Sequence, residues 1–445
     1  MDSIEDIIAA TEQLIVDRRG KPLIFIQKAI LKESLLEEKP TYAAIAQKYN
    51  YSEGYIKKVA APQLWQLLSQ ILEDKVNKYN CRILLEQKLA ERSLIANHSS
   101  CNESPQFAIE FPEGHVPLNS RFYIARANLE STCYREISQP GAFLRLKAPR
   151  KMGKTSLATR IMAYGNTQNY KTAYLSLEQV ETEIFSSIGK FLRWLCVNIA
   201  RQWGIASKLD EYWDEDMGAL VSCSIYLQNY LLKQLSHPGI LILDEVDRVF
   251  EYSNIAHDLL ALLRGWHEKS KDLLLWQKLR LVIVNSTDAY LSLNTNRSPF
   301  NVGLTVDLPF FSRKEIADLI QRHQLKIDNW EIEELVKLTG GHPYLLRLAL
   351  YESFKQNISL KTLLQETTDT TKIFDRQLHY LLWNLKCDRD LWSNFQQVLK
   401  SSTKLEPEAE FKLASLGLVT LNDNEAKVSC GLYQNYFSQH LFLSI

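Results

Sequence analysis

Residues 143–157 read Phe143-Leu144-Arg145-Leu146-Lys147-Ala148-Pro149-Arg150-Lys151-Met152-Gly153-Lys154-Thr155-Ser156-Leu157. The apolar run up to Leu146 has strand character, and Ser156–Ala163 has helix character. Between them lies GxxxxGK[ST], with Ala148 in place of the first glycine. The residue types follow from phosphate chemistry. Gly153 lets the backbone turn so that successive N–H groups point inward at phosphate oxygens. The following helix N-terminus adds partial positive charge. Lys154 is placed against the outer phosphates, and the Thr155 hydroxyl is placed for an oxygen-seeking cation. Ala148 fits if its φ is negative, because a methyl group is small.

A second stretch completes the pattern. Gly239-Ile240-Leu241-Ile242-Leu243-Asp244-Glu245 is a continuous apolar strand ending in two acids, as expected of a central parallel strand. Ligands of such sheets bind beyond the strands' carboxyl ends. Asp244 is therefore expected to hold Mg²⁺ with Thr155, and Glu245 to activate an attacking water. A third strand, Leu281–Val284, runs into Asn285-Ser286-Thr287. One of these side chains is expected to sense the terminal phosphate, with Asn285 favoured. Pro149, Arg150, Lys151, Met152, Gly153, Lys154, Thr155 and Ser156 are the expected phosphate-binding residues, and ATP or ADP with Mg²⁺ the expected ligands.

Around these motifs the chain alternates short apolar runs (Ala142–Leu146, Ala173–Leu177, Ile240–Leu243, Leu281–Val284) with helical stretches such as Ile184–Trp203. That alternation predicts an α/β fold with a parallel sheet covered on both faces. The expected organisation is a helical module over 1–75, a helix and linker over 76–115, the core over 116–311, a helical lid over 312–375 and a last domain over 376–445. Ser312 is the predicted N-cap of the first lid helix. Leu418–Leu421 and Ala426–Ser429 are predicted to form a hairpin.

Lys plus Arg number 52 and Asp plus Glu 52 in 445 residues. The balance excludes a strongly basic nucleic-acid protein overall, although a local basic face is compatible with it. The seven cysteines are widely spaced with no CxxC pair, which predicts reduced thiols and a cytoplasmic setting. Met1–Asp6 carries three acids and no apolar run, unlike a secretory signal. No apolar stretch approaches the length of a membrane helix.

With these residues in place, 112–445 resembles the AAA+ superfamily, and more narrowly the AAA-like signalling ATPases common in cyanobacteria, which belong to the STAND group. The matches are Pro117–Ser120, Phe122-Tyr123-Ile124 before Arg126, Lys147–Leu157, the strand ending in Asp244-Glu245, Ser298–Gly303 and Leu338–Tyr344. The resemblance implies a helical lid and a C-terminal winged helix around Leu416–Val419. It implies that Phe122–Arg126 lies beside adenine, and that Gly341-His342-Pro343 touches the base and reports the nucleotide state. Arg126, His342 and Pro343 thus join the expected nucleotide contacts. Arg248, Arg264, Arg280 and Arg297 stay open as arginine-finger candidates.

Thr41–Ala46, the turn Asn50-Tyr51-Ser52 and the helix beginning at Glu53 have helix-turn-helix spacing, with Ser52 as N-cap. This part resembles the N-terminal module of vWA–MoxR-associated proteins. Ser52, Tyr55, Lys57 and Lys58 are its expected contacts with DNA or with a protein. Residues 1–75 hold ten Lys/Arg and eleven Asp/Glu, whereas a DNA reader usually shows a basic footprint. Three functions are expected to compete. The first is an ATP-binding switch with slow hydrolysis in signalling or defence, acting on protein effectors and self-assembling with nucleotide. The others are an ATP-regulated DNA-binding regulator and a non-hydrolysing adaptor.

Overall fold

The computed structural model describes residues 8, 11, 15, 23, 25–36, 40–49, 51–72, 76–82, 84–85, 109–126, 128–287, 302–325, 327–355, 367–422 and 425–440. The chain forms two compact units, Met1–Ala108 and Ile109–Ile445. The divide lies inside the expected linker 76–115. The polar run 97–104, the segment 298–301 and the hairpin-turn residues Asp423 and Asn424 lie outside the described residues.

In the first unit, α1 (Phe25–Ser34) and α2 (Tyr42–Tyr49) precede a helix that starts at Glu53–Tyr55, passes through a π turn at Ile56–Ala60 and continues as Ala61–Leu72. Ser52 caps it, its hydroxyl accepting from the Tyr55 N–H at 3.3 Å. Ile30, Ile45, Ile56, Leu64 and Leu68 meet in one core. Glu33, buried among them, accepts from Lys48 at 2.8 Å and Tyr49 at 2.7 Å. Ser52, Tyr55, Lys57 and Lys58 are all exposed.

The second unit is built on five parallel strands, β1 (Phe143–Ala148), β2 (Lys171–Ser176), β3 (Gly239–Asp244), β4 (Leu279–Ser286) and β5 (Leu304–Asp307), in the order β2-β3-β4-β1-β5. Alternate residues serve opposite cores. Leu241, Leu243, Leu281 and Ile283 pack with the helices Ile188–Trp203 and Ser253–Asp272. Ile240, Ile242, Val282 and Val284 pack with Leu144, Leu146 and the helix Lys154–Thr167. Burial on both faces is why Ile240–Leu243 of β3 and Leu281–Val284 of β4 read as unbroken apolar runs. Each fully buried Leu or Ile side chain stabilises the fold by roughly 1.5–3 kcal/mol.

Beyond the sheet, Arg313–Arg322, Asn329–Thr339 and Pro343–Lys355 pack as helices with a common core. Ser312 caps the first in a reciprocal box with Glu315. The helix Thr367–Cys387 then runs straight through the expected lid boundary at 375, so no break falls there. Helices Arg389–Lys400 and Pro407–Ser415 lead to the antiparallel pair β6 (Val419–Asn422) and β7 (Glu425–Val428), and Gly431–His440 closes the unit. Helices around a small hairpin are the expected winged-helix arrangement.

Strand β5 was not expected. Gly303 makes it reachable, with φ +79°, where a side chain would run into the Phe143 carbonyl oxygen across the sheet. Gly303→Ala is therefore expected to destabilise the unit by roughly 1–3 kcal/mol from the backbone strain alone. Urea unfolding should show the lowered midpoint with an unchanged slope.

Candidate functional site

The carboxyl ends of β1, β3 and β4 open on a cleft of about 1370 Å³ in the second unit. Ala148 is the last residue of β1, in ordinary extended backbone, so the missing glycine costs nothing there. The loop then turns through two left-handed residues, Lys151 at φ +62° and Gly153 at φ +93°. Lys154 opens the helix, and its Nζ donates back to the Ala148 and Pro149 carbonyls, both at 2.9 Å. The loop is thus closed around its own lysine.

Arg126 braces this loop. Its guanidinium donates to the Met152 carbonyl at 2.5 Å and to the Pro309 carbonyl at 3.2 Å, and stacks on the Phe311 ring at 4.9 Å. It is buried, and desolvation draws its pKa down. The Ser156 hydroxyl accepts from the Val116 N–H at 2.8 Å, and Arg160 donates to the Val116 and Pro117 carbonyls at 3.0 and 2.9 Å. These contacts hold the segment from Glu110 to Pro117 over the loop helix as one wall of the cleft.

At the acidic end, Asp244 is buried and takes a hydrogen bond from the Tyr174 hydroxyl. Thr155 reaches the same hydroxyl, so the two expected cation ligands converge on one point. Burial, then Asp244, keep the Tyr174 hydroxyl protonated. Glu245 sits at φ +56° and accepts from the Ser176 hydroxyl at 2.7 Å. Its carboxyl is pushed up to about 7, first by burial and then by Glu178 and Asp244, with the Ser176 bond pulling the other way. Asn285 is fully buried at the end of β4. It lines the cleft with Ser286, whose N–H donates to Asp247 at 3.1 Å. Thr287 instead donates to the Ser415 carbonyl at 2.7 Å, which ties β4 to the C-terminal helices.

The apolar end is lined by Phe111, Phe122, Ile124, Pro343 and Tyr344. The Gly341-His342-Pro343 triplet divides its work. Gly341 passes Phe311 at φ +79°, with no room for a side chain. His342 does not line the cleft; it is buried, and its Nδ1 accepts from the Tyr344 N–H at 3.2 Å. Burial, with Lys151 and Lys154 nearby, drives its pKa down to about 3, so it is neutral. Pro343 begins the helix and faces the cleft.

The loop's cations meet the C-terminal helices directly. Lys151 Nζ lies 3.9 Å from the centre of the Tyr344 ring, and Arg150 lies 5.2 Å from that of Tyr380. Arg150 also faces Asp247 at 3.9 Å. Pro149 lies against Gly417, which precedes the hairpin. The sequence reading missed Tyr174, Ser176, Tyr344 and Tyr380 as site residues. For β2 a signal existed: Tyr174 and Ser176 alternate, and Ser176 is in register with Asp244. Of the arginines, Arg248 lines the cleft. Arg264 lies exposed on the helix Ser253–Asp272. Arg280 is buried at the opposite end of β4, bound to the Ile137 carbonyl at 3.1 Å, and is excluded as a finger. Arg297 lies outside the described residues.

Residues 111–439 match the model of the family described as the AAA-like domain. Residues 2–88 match the one described as the vWA-MoxR associated protein N-terminal HTH. No curated protein matches. Similar solved structures include the Walker-type ATPase PABY2304 of Pyrococcus abyssi, at 16% identity and TM-score 0.46, covering 71% of this chain and 96% of that one. The ORC2 protein of Aeropyrum pernix follows at 18% identity and TM-score 0.40, covering 73% and 98%. A RuvB of Thermotoga maritima stands at 15% identity and TM-score 0.36, covering 72% and 96%.

The Ser176 hydroxyl stabilises the charged form of Glu245. Ser176→Ala is therefore expected to move the Glu245 titration upward from about 7. Carbon-13 carboxyl NMR of glutamate-labelled protein would read the shift, and a downward movement would contradict the geometry.

Proposed function

The chain belongs to the AAA-like domain family, and from that premise we propose that it is an ATP-driven molecular switch of the STAND type, acting in signalling or defence. Nucleotide binding and the ATPase class come with the family; the switch is our reading. The observation that carries it is the seating of the phosphate loop on the C-terminal helices. Lys151 rests on Tyr344, Arg150 on Tyr380 and Pro149 on Gly417. A phosphate bound by the loop therefore acts on residues that also hold those helices.

In this reading the loop N–H groups and Lys154 bind the phosphates of ATP. Thr155 and Asp244 would hold Mg²⁺, whose charge offsets that of the phosphate oxygens. The convergence of both side chains on Tyr174 fits such a ligand pair. Glu245 takes the proton of the attacking water, which requires it ionised. Asn285 and Ser286, which line the cleft, would sense the terminal phosphate. Pro343 and the apolar wall from Phe111 to Ile124 receive the base. In the first unit, exposed Ser52, Tyr55, Lys57 and Lys58 offer the contacts for DNA or a partner protein.

Glu245→Gln keeps the shape of the side chain but cannot take a proton. It is expected to retain ATP while hydrolysing it about 100-fold more slowly in a phosphate-release assay. An unchanged rate would reduce the Asp244-Glu245 edge to a structural feature.

A ligand shifts a conformational equilibrium only by its differential affinity for the two forms. ADP is expected to favour a closed monomer, and a non-hydrolysable ATP analogue an open form that self-associates. Light scattering over a wide concentration range reads the masses. Identical masses with both nucleotides would refute the switch.

A further inference from the structure

The P-loop pattern fixes Gly153, Lys154 and Thr155, and leaves the side chain of Lys151 unassigned. In this structure that side chain has a defined place. The left-handed backbone at Lys151 turns it toward the helix Pro343–Lys355, where Nζ lies over the Tyr344 ring at 3.9 Å. Among the described residues no carboxylate pairs with it, whereas Arg150 next door faces Asp247. The neighbouring charge is a like one: Arg376, from the helix Thr367–Cys387, repels it across the cleft. The cleft walls desolvate Lys151 while leaving it reachable, and together with Arg376 they draw its pKa down to about 8. An ammonium kept on a ring beside another cation is weakly held, because a cation–π contact is worth only about 0.5–2 kcal/mol. A phosphate oxygen offers a charge-assisted hydrogen bond, which is the stronger partner.

We propose that Lys151 is a reader of the terminal phosphate on the loop side of the cleft, in addition to Asn285 and Ser286, and that the Tyr344 ring is the seat it leaves when a triphosphate enters. The proposal rests on the nucleotide reading above and adds a loop residue through which the third phosphate is distinguished. The loop N–H groups and the helix N-terminus meet the phosphates of either nucleotide, and Lys154 is held by the Ala148 and Pro149 carbonyls. Lys151, seated on a ring with no carboxylate partner among the described residues, is the loop cation the added negative charge of ATP draws on. Leaving Tyr344 removes one of the contacts between the loop and the C-terminal helices. Phosphate count is thereby converted into a loosened contact at the start of the helix that also carries the base-facing Pro343.

The test is the affinity ratio of a non-hydrolysable ATP analogue to ADP, by titration calorimetry on the full chain with Mg²⁺. Base contacts cancel in that ratio. Lys151→Met keeps length and apolar contact with Tyr344 but no charge, and should lower the preference for the analogue by about tenfold, the scale of one hydrogen bond to a charged group. Lys151→Arg should keep the preference. Tyr344→Leu removes the seat, so the preference should rise by a few-fold, roughly the value of the lost cation–π contact. Wild-type binding of both nucleotides with an unchanged ratio in Lys151→Met overturns the inference. If Lys151→Met does not fold, an unchanged ratio in Tyr344→Leu overturns it instead. Failure of the wild type to bind either nucleotide overturns the nucleotide reading and this inference together.

Discussion

Burial of β1, β3 and β4 on both faces is the constraint from which the site follows. The stretches that enter apolar cores on both faces, Ile240–Leu243 in β3 and Leu281–Val284 in β4, carry no polar side chain, and polar groups follow where the strands leave the sheet. In β3 every residue from Gly239 to Asp244 is buried, and the first exit point falls at Asp244 and Glu245. At the same edge β4 ends in Asn285 and Ser286, and β1, which carries Arg145 and Lys147 within it, runs into the phosphate loop. Parallel register then brings these three exits side by side without any one of them being near the others in sequence. The cost is electrostatic. Acids and cations gathered at a partly dry edge are shifted together, with Glu245 raised to about 7 and Lys151 lowered to about 8. Each moves toward its neutral form, which is how a crowded edge limits its own repulsion before any ligand arrives.

That constraint also explains how much was legible in the sequence. Buried strands leave apolar runs, so β3 and β4 could be read to within two residues, and the polar residues ending them stood out. The helix caps were legible for a related reason. Ser52 and Ser312 each satisfy an N–H that the helix itself leaves open, and few residue types can do so. Strand β5 escaped because four residues at a sheet edge, one of them exposed, carry no such run. The lid boundary escaped because a continuous helix has no punctuation to read at 375.

The aromatic residues of the cleft escaped for a deeper reason. Tyr344 and Tyr380 are ordinary helix positions by spacing, and only tertiary packing brings them under Lys151 and Arg150. Arg126 lines the cleft and also braces the loop, buried against Met152, Pro309 and Phe311. His342 was expected at the ligand and is found inside, holding the first turn of a helix. In each case sequence proximity to a motif placed the residue in the right neighbourhood. The direction of its side chain depended on backbone turns such as those at Gly341 and Lys151, which spacing does not encode.

The helix Thr367–Cys387 gives the C-terminal half a mechanical property. Its 21 residues make a rod about 30 Å long at 1.5 Å per residue. Arg376 and Tyr380, near its middle, lie at the cleft, while Trp383 further along is largely exposed. A rod touched at its middle is a lever with the cleft as fulcrum. A rotation of roughly 10° there carries an end of an α-helical rod of this length through only about 3 Å, yet that is half the pitch of a neighbouring helix. Side chains interlocked along such a neighbour cannot follow a displacement of that size continuously. They hold their seats or step to new ones, so a graded push from the cleft would leave the far end of the rod as a discrete change of packing.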